Sequence, residues 1–521
     1  MLEIASITSQ SAQHPNGYPL TRYDVHARLL LSQDRLAGLA LALLAGLSIL
    51  VALISQGTYD TGDSLGHYLY ARYAPQHPLH LLHAWAKPLF TLLAVGPAQF
   101  GFTGIKLFQC GLVAASAWLA YRTARHLGLA WPALAVVFCY AAPDYFRIQF
   151  SGLTEPLFGL LLIAAVHSAV AGHPMRSAML LSWLPLVRSE GILLWGLWGL
   201  YLLWNGEWRA LPWLGLGYLV YSIVGGLVLH NFAWLFTDNP YALHSPYGSG
   251  HWRHFLDHIP TLLGWPLALL GLVGGLYTLR RALQTANWRE HRFRAELLLI
   301  NGSLVLFTLT HSVLWAYGLF GSFGMTRVLC VLVPLCAVVA LTGLNWLAQL
   351  PARPAHARQV RLAGAGLVVA MLLLPEVGYH LRNNGFVGHD SNLRWYRDFR
   401  KASDLVLADQ AADWLQHYDP QWGWHPLGWE LYYFSEHLGV DPFDPIRRAR
   451  LNKDYAAYLD GVPAGTYIYW DDWFAPVEGR INLDMLQQDA RFKQLWFGSL
   501  DQDPKYPSGW VRRAYIFIKV K

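Results

Sequence analysis

The sequence predicts an α-helical protein that crosses a membrane many times and carries a small α/β domain at its C-terminal end. Three observations lead to that fold class. Apolar residues make up 54% of the 521 and charged residues only 14%, a balance that suits the bilayer rather than water. Apolar stretches near the length of a bilayer span recur up to about residue 376. Beyond residue 377 charges are dense and no such stretch occurs.

The first 35 residues are polar and form a cytoplasmic segment. They do not read as a signal peptide, because the apolar run after them is long enough to span and stay. Spans are expected near 36–56, 101–121, 129–143, 154–171, 177–187, 190–204, 211–230, 260–279, 295–316, 328–348 and 362–376, about eleven in all. With the N-terminus inside, the inner loops hold fifteen Arg and Lys residues against six in the outer loops. Cytoplasmic loops carry such an excess, so the count supports that orientation. The net charge of +6 therefore needs no nucleic-acid partner. An odd number of spans leaves the last part outside, giving a cytoplasmic segment 1–35, a membrane domain 36–376 and an extracytoplasmic domain 377–521.

In that last domain helices are expected at 395–417, 427–438 and 482–496. The stretches "GTYIYW" and "RRAYIFIKV" read as strands, since β-branched and aromatic residues dominate them. Cys110, Cys139, Cys330 and Cys336 fall in or beside apolar segments without metal-ligand spacing, and read as small buried apolar residues. The "NGS" at Asn301 lies inside a span and carries no meaning. There is no internal repeat.

Charges in the outer loops run against the positive-inside trend and so attract a functional reading. "YDTGDSLGH" places Asp60, Asp63 and His67 directly after the first span. The apolar segment that follows, broken by His80, His83 and Lys87, suits a position along the membrane surface. Asp63 also suits a helix cap, and the residues alone leave both roles open. "PDYFRIQFSGLTEPLF" brings Asp144, Arg147 and Glu155 to the second outer loop. An acid at a helix start suits the helix dipole, while an ionisable residue at membrane depth is a functional candidate by default. "LVRSEGILL" interrupts an apolar run with Arg188 and Glu190, which can satisfy each other in a hairpin turn. Arg327 opens a span behind the glycine-rich "GSFGM", where it can also snorkel. If the helices form one bundle, these charges meet at one outer cavity.

The order of these features resembles the GT-C glycosyltransferases. It runs from a long first outer loop with an Asp, through "AWAKPLFTLL", "LTEPLFGLLL" and "LVRSEGIL", to "FGMTRVLCVLVP". Within that superfamily it is most similar to the branch of protein mannosyltransferases and lipid A aminoarabinose transferases. The likeness covers about residues 36–350. That branch typically shows an Asp-Glu pair after the first span and Lys-Pro-Pro before the second. The equivalents here are Asp63-Ser64 and Lys87-Pro88, with Ser64 in place of the second acid and Leu89 in place of the second proline. Whether Asp60 or His67 supplies the missing function stays open.

The resemblance implies a bacterial inner-membrane enzyme with a periplasmic C-terminal domain. It would move a sugar from a polyprenyl-phosphate donor to a glycolipid, protein or glycan acceptor. A polyprenyl phosphate leaves readily, so one base suffices, unlike in glycoside hydrolysis, where two carboxylates share the work. Asp63 is the expected base, and such a group normally supplies roughly 10²–10⁴ in rate. Lys87 and Arg327, with Arg188 behind them, are expected at the departing phosphate, where a well-placed donor is worth about 3–4 kcal/mol. Glu155 orients the acceptor or, with Asp63, holds a divalent ion; no metal or other cofactor is expected. His67, Asp144, Arg147 and Glu190 complete the expected cavity. "YWDDWF", with Trp470, Asp471, Asp472 and Trp473, reads either as a turn after a strand or as a sugar-stacking edge.

Two other functions are weaker. An oligosaccharide polymerase or ligase usually carries its largest outer loop in mid-chain, and the loop 231–259 is modest. A transporter would be built from two related halves with broken helices, and no such symmetry is present.

Overall fold

The computed structural model of the chain describes residues 22–58, 62–349 except 239, 242 and 246, then 359, 362–364, 366, 403–422, 427–428, 437–443, 459–500 and 511–521. The expected span 362–376 and the boundary near 376 lie largely outside the described residues.

Helix α1 (Arg22–Ile54) carries the first apolar run. Leu36, Leu39, Leu43, Leu47, Leu50 and Ile54 are exposed on it, as a lipid-facing helix requires. Next come α2 (Asp63–Arg72), a 3₁₀ turn Pro78–Leu82, and α3 (Pro88–Ala98). The bundle continues with α4 (Gly101–His126), α5 (Leu134–Ala141), α6 (Pro143–Ile148), α7 (Glu155–Val170), α8 (Pro174–Leu181), α9 (Leu194–Trp204) and α10 (Leu216–Val228). It closes with α11 (Trp265–Ala282), α12 (Gly302–Ala316) and α13 (Val333–Leu347).

Among the described residues, five helical stretches are long and apolar enough to cross a membrane, and a pair bent by 116° at Gly264 adds a sixth. The spans expected at 129–143, 177–187 and 190–204 contain only the short helices α5, α8 and α9. Helices shielded by neighbours need not meet the length of a lipid-exposed one, so a length rule overestimates how regular these segments are. Most of the stretch ending in α13 is buried, whereas most of α1 is not, so α13 is the central post. It meets α11 through a glycine pair: a Cβ at Gly274 would lie 2.0 Å from the Val339 carbonyl oxygen, and one at Gly343 2.1 Å from that of Leu270. Small residues let the two backbones close up, the usual device for helix contact in lipid.

The C-terminal domain holds α14 (Ser403–Tyr418) and a four-stranded sheet. Its strands are β1 (Leu427–Gly428), β2 (Tyr467–Asp471), β3 (Phe492–Leu500) and β4 (Arg512–Lys519), in the order β1-β2-β4-β3. Only β1 and β2 run parallel. Both expected strands form. The helix expected at 395–417 is described as α14 from Ser403. The one expected at 482–496 is corrected: Leu483–Gln487 is a single helical turn, and the chain then becomes β3. At 427–438 the described start is strand β1.

This domain sits on α2 and the 3₁₀ turn that follows it. His77 Nε2 lies 2.6 Å from Asp441 Oδ2, and Phe443 packs against Tyr70 and His80. Burial pushes the His80 imidazole down to about 4, so this contact is made with a neutral ring.

Candidate active site

Lys106 on α4 donates a hydrogen bond to the Ser55 carbonyl, anchoring the chain just past the end of α1. Asp63 is the first residue of α2, directly after its N-cap Gly62. Arg327, buried in the 3₁₀ segment Thr326–Leu332, donates to Asp63 Oδ2 at 2.6 Å. Asp63 stays 46% exposed at its side chain while Arg327 is 4% exposed, so the carboxylate is gripped from the protein side and stays half-exposed.

Glu155 opens α7 with almost no exposure. Its Oε1 accepts from Arg188 at 2.7 Å and lies 3.9 Å from Arg327 Nε. Its Oε2 meets no hydrogen-bond donor among the described residues. Arg188 also donates to Glu190 Oε1 at 3.1 Å, and His311 Nε2 lies 3.8 Å from that oxygen. One guanidinium thus serves two carboxylates, as its forked donors allow.

Lys87 differs. Its Nζ reaches Ser189 Oγ at 3.4 Å and lies 4.8 Å from the centre of the Tyr241 ring. Among the described residues no carboxylate lies within ion-pair distance of it. Its φ of 66° puts a long side chain in the left-handed region, which costs of order 1 kcal/mol or more and clusters at functional sites. That backbone aims Lys87 inward just before Pro88 starts α3.

These groups share a cavity of about 720 Å³, lined among others by Asp63, His67, Lys87, Glu155, Arg188, Glu190 and Arg327. His67 stacks on Trp85 with ring centres 4.8 Å apart. The contact depends on Gly66, whose Cβ would meet Trp85 at 2.6 Å. Gly152 similarly leaves room for the Ser64 carbonyl, 2.2 Å from where a Cβ would be, so α2 presses onto the loop before α7 and brings Asp63 toward Glu155.

No protein-family model matches the sequence, and no curated protein matches it either. Solved structures do. The crystal structure of ArnT from Cupriavidus metallidurans bound to undecaprenyl phosphate matches with a TM-score of 0.55 at 12% identity, over 92% of this chain and 97% of that one. The same protein in its apo state matches with a TM-score of 0.56 at 15% identity, over 91% and 97%. The chain has the GT-C fold.

Within the GT-C fold, the expected site residues divide. Asp63, His67, Lys87, Glu155, Arg188, Glu190 and Arg327 come together around the one cavity. Asp144 and Arg147 do not line it; they form a buried pair at 3.1 Å on α6. An acid and a base one helical turn apart are neighbours on the helix surface and attract each other. Asp60 lies outside the described residues. Sequence reasoning passed over Lys106, although a lysine inside a span is itself a signal, and gave Trp473 the lesser reading. Trp473 and Phe474 of the C-terminal domain both line the cavity. Among the described residues, no group of three His, Cys, Asp or Glu side chains is placed to hold a metal ion.

Proposed function

We propose that the chain is an integral-membrane glycosyltransferase that moves a sugar from a polyprenyl-phosphate donor to an acceptor hydroxyl, on the side of the membrane bearing the C-terminal domain. One observation carries this reading: a half-open carboxylate, Asp63, shares a cavity with Lys87, a cation without a carboxylate partner among the described residues. The fold shared with a protein crystallised with undecaprenyl phosphate supports the donor class. The charge bias of the loops supports a cytoplasmic N-terminus and a periplasmic C-terminal domain.

In the proposed reaction the acceptor oxygen attacks the anomeric carbon from the face opposite the phosphate. The carbon–oxygen bond to phosphate breaks, its electron pair leaves on the phosphate, and the configuration inverts. Asp63 takes the hydroxyl proton. Arg327 orients that carboxylate through its 2.6 Å hydrogen bond to Oδ2. Lys87 meets the charge growing on the phosphate, as a preorganised donor must to stabilise the transition state. The second oxygen of Glu155 accepts from a sugar or acceptor hydroxyl, while Arg188 holds the first at 2.7 Å. The reaction needs no metal in this scheme.

The test is release of lipid phosphate by purified full-length protein in lipid nanodiscs, offered a panel of polyprenyl-phosphate sugars. Asp63→Asn should lower the rate by roughly 10²–10⁴ while donor affinity is kept. No release from any donor by folded wild-type protein overturns the reading.

A further inference from the structure

The cavity has two kinds of wall. Its charges come from the membrane domain, at α2, Lys87, α7 and the segments beginning at Arg188 and Arg327. Its aromatic surface comes from both domains: Trp85, Tyr241, Tyr247, Phe320 and Phe323 from the membrane domain, and the pair Trp473 and Phe474 from the C-terminal domain. Tyr247 and Phe323 stack with ring centres 4.4 Å apart.

Trp473 and Phe474 are built into place. Strand β2 buries Trp470, whose Nε1 donates to the Ile481 carbonyl at 2.7 Å. The strand ends at Asp471, whose Oδ1 accepts the backbone N–H of Trp473 at 2.9 Å and of Phe474 at 2.6 Å. Next to it, Asp472 accepts from Arg512 at 3.1 Å and from the Arg513 N–H at 3.2 Å. Two acids therefore fix the turn to the sheet from both sides. Trp470 faces the core, and the two rings beyond the turn remain part-exposed at the cavity.

We infer that Trp473 and Phe474 form the acceptor wall of the cavity and that the acceptor is a carbohydrate. This rests on the transferase reading above. A sugar ring has flat C–H faces and a hydroxyl rim, which suit rigid aromatic faces that also supply polar tips. A peptide acceptor would more naturally be held along a free strand edge, and a sheet-anchored aromatic turn offers none. A donor isoprenoid gains nothing from a wall placed on the soluble domain. The C-terminal domain thus acts as the specificity element of the site, and the membrane helices carry the chemistry.

The experiment uses full-length protein in nanodiscs and an undecaprenyl-phosphate sugar that the panel shows to be turned over. Three acceptor arms are compared: free oligosaccharides, a glycolipid with the same headgroup, and Ser/Thr peptides. Transfer to either saccharide arm is expected, the pair distinguishing a free glycan from a lipid-borne one. Trp473→Ala and Phe474→Ala should each raise acceptor KM on the order of tenfold, the worth of one good aromatic contact, with donor KM unchanged. Trp473→Phe should restore most of it. Unchanged acceptor KM in both alanine variants, an equal rise in donor KM, or transfer only to peptides overturns the inference. If the alanine variants do not fold, Phe474→Leu keeps the bulk and removes the ring face, with the same expected rise. Saturation-transfer NMR with the free oligosaccharides reads the wall without turnover. A chain that releases no lipid phosphate yet binds saccharides through Trp473 fails the catalytic reading and keeps this one. One that binds none fails this one.

Discussion

Replacing Asp471 by Asn should cost the C-terminal domain stability in acid, and that cost should shrink or reverse in base. Burial pushes this carboxyl up from its ordinary 3.8 to about 7, with Asp472 and Asp404 adding to the rise while the N–H groups of Phe474 and Trp473 oppose it. A group raised in this way binds its proton more tightly folded than unfolded. Its contribution is fully present below about pH 4 and is lost as pH climbs toward 7. Three units at about 1.4 kcal/mol each bound the loss at about 4 kcal/mol. Asn keeps an oxygen for the two N–H groups but cannot ionise, so the pH-dependent loss disappears. Its amide N–H₂ stands where Oδ2 has no hydrogen-bond partner among the described residues, which costs about 1–3 kcal/mol at every pH. The readout is therefore the difference in thermal midpoint between variant and wild type, followed from pH 4.5 to 8.5 (about the span between the two pKa values and beyond). It should rise with pH. A difference that is flat, or that falls, refutes the argument that Asp471 is buried as an acid.

Arg188→Ala strands Glu155 and Glu190 in the bundle and should destabilise the fold by about 3–5 kcal/mol; adding Glu155→Gln and Glu190→Gln should restore most of the monodisperse yield on size exclusion. Gly274→Ala forces α11 off α13, because its Cβ would lie 2.0 Å from the Val339 oxygen, and should lower the melting temperature, at a cost of about 1–3 kcal/mol. Gly38→Ala on α1, with nothing within 4 Å of its Cβ, is the matched control and should not. A chelator should leave the transfer rate unchanged; a loss that magnesium restores would refute a metal-free reaction.

The long apolar helices were legible because lipid demands length and hydrophobicity from whatever faces it, and α1 shows both. The short helices α5, α8 and α9 were less so, since shielding by neighbours relaxes that demand. Strand β3 was misread for a different reason. Its outer face is exposed, so its polar residues show no alternation strong enough to override a helical reading, and pairing with β4 decided its conformation. In the site, the charged residues stood out because ionisable groups are costly near lipid. Their partners did not. Asp63 and Arg327 are 264 positions apart, and only helix packing could pair them. Asp144 and Arg147 were the reverse case, a local pair whose i,i+3 spacing was readable in the sequence.

Lys87 is where stability and the proposed function part most clearly. Each cavity arginine has a carboxylate in contact, which offsets the cost of removing its charge from water. Lys87 has a hydroxyl and an aromatic face, and holds a left-handed backbone as well. A fold selected for stability alone would keep neither feature, and two such departures at one residue mark a site under another demand. Lys87→Met keeps the length and apolar stem and removes the charge. It should therefore fold at least as stably as wild type while losing affinity for undecaprenyl phosphate by on the order of tenfold or more, the worth of one charge-assisted contact. Donor affinity is read by native mass spectrometry and stability by thermal midpoint. A variant that loses stability and keeps its lipid would place Lys87 in the architecture of the bundle and leave the phosphate without its cation.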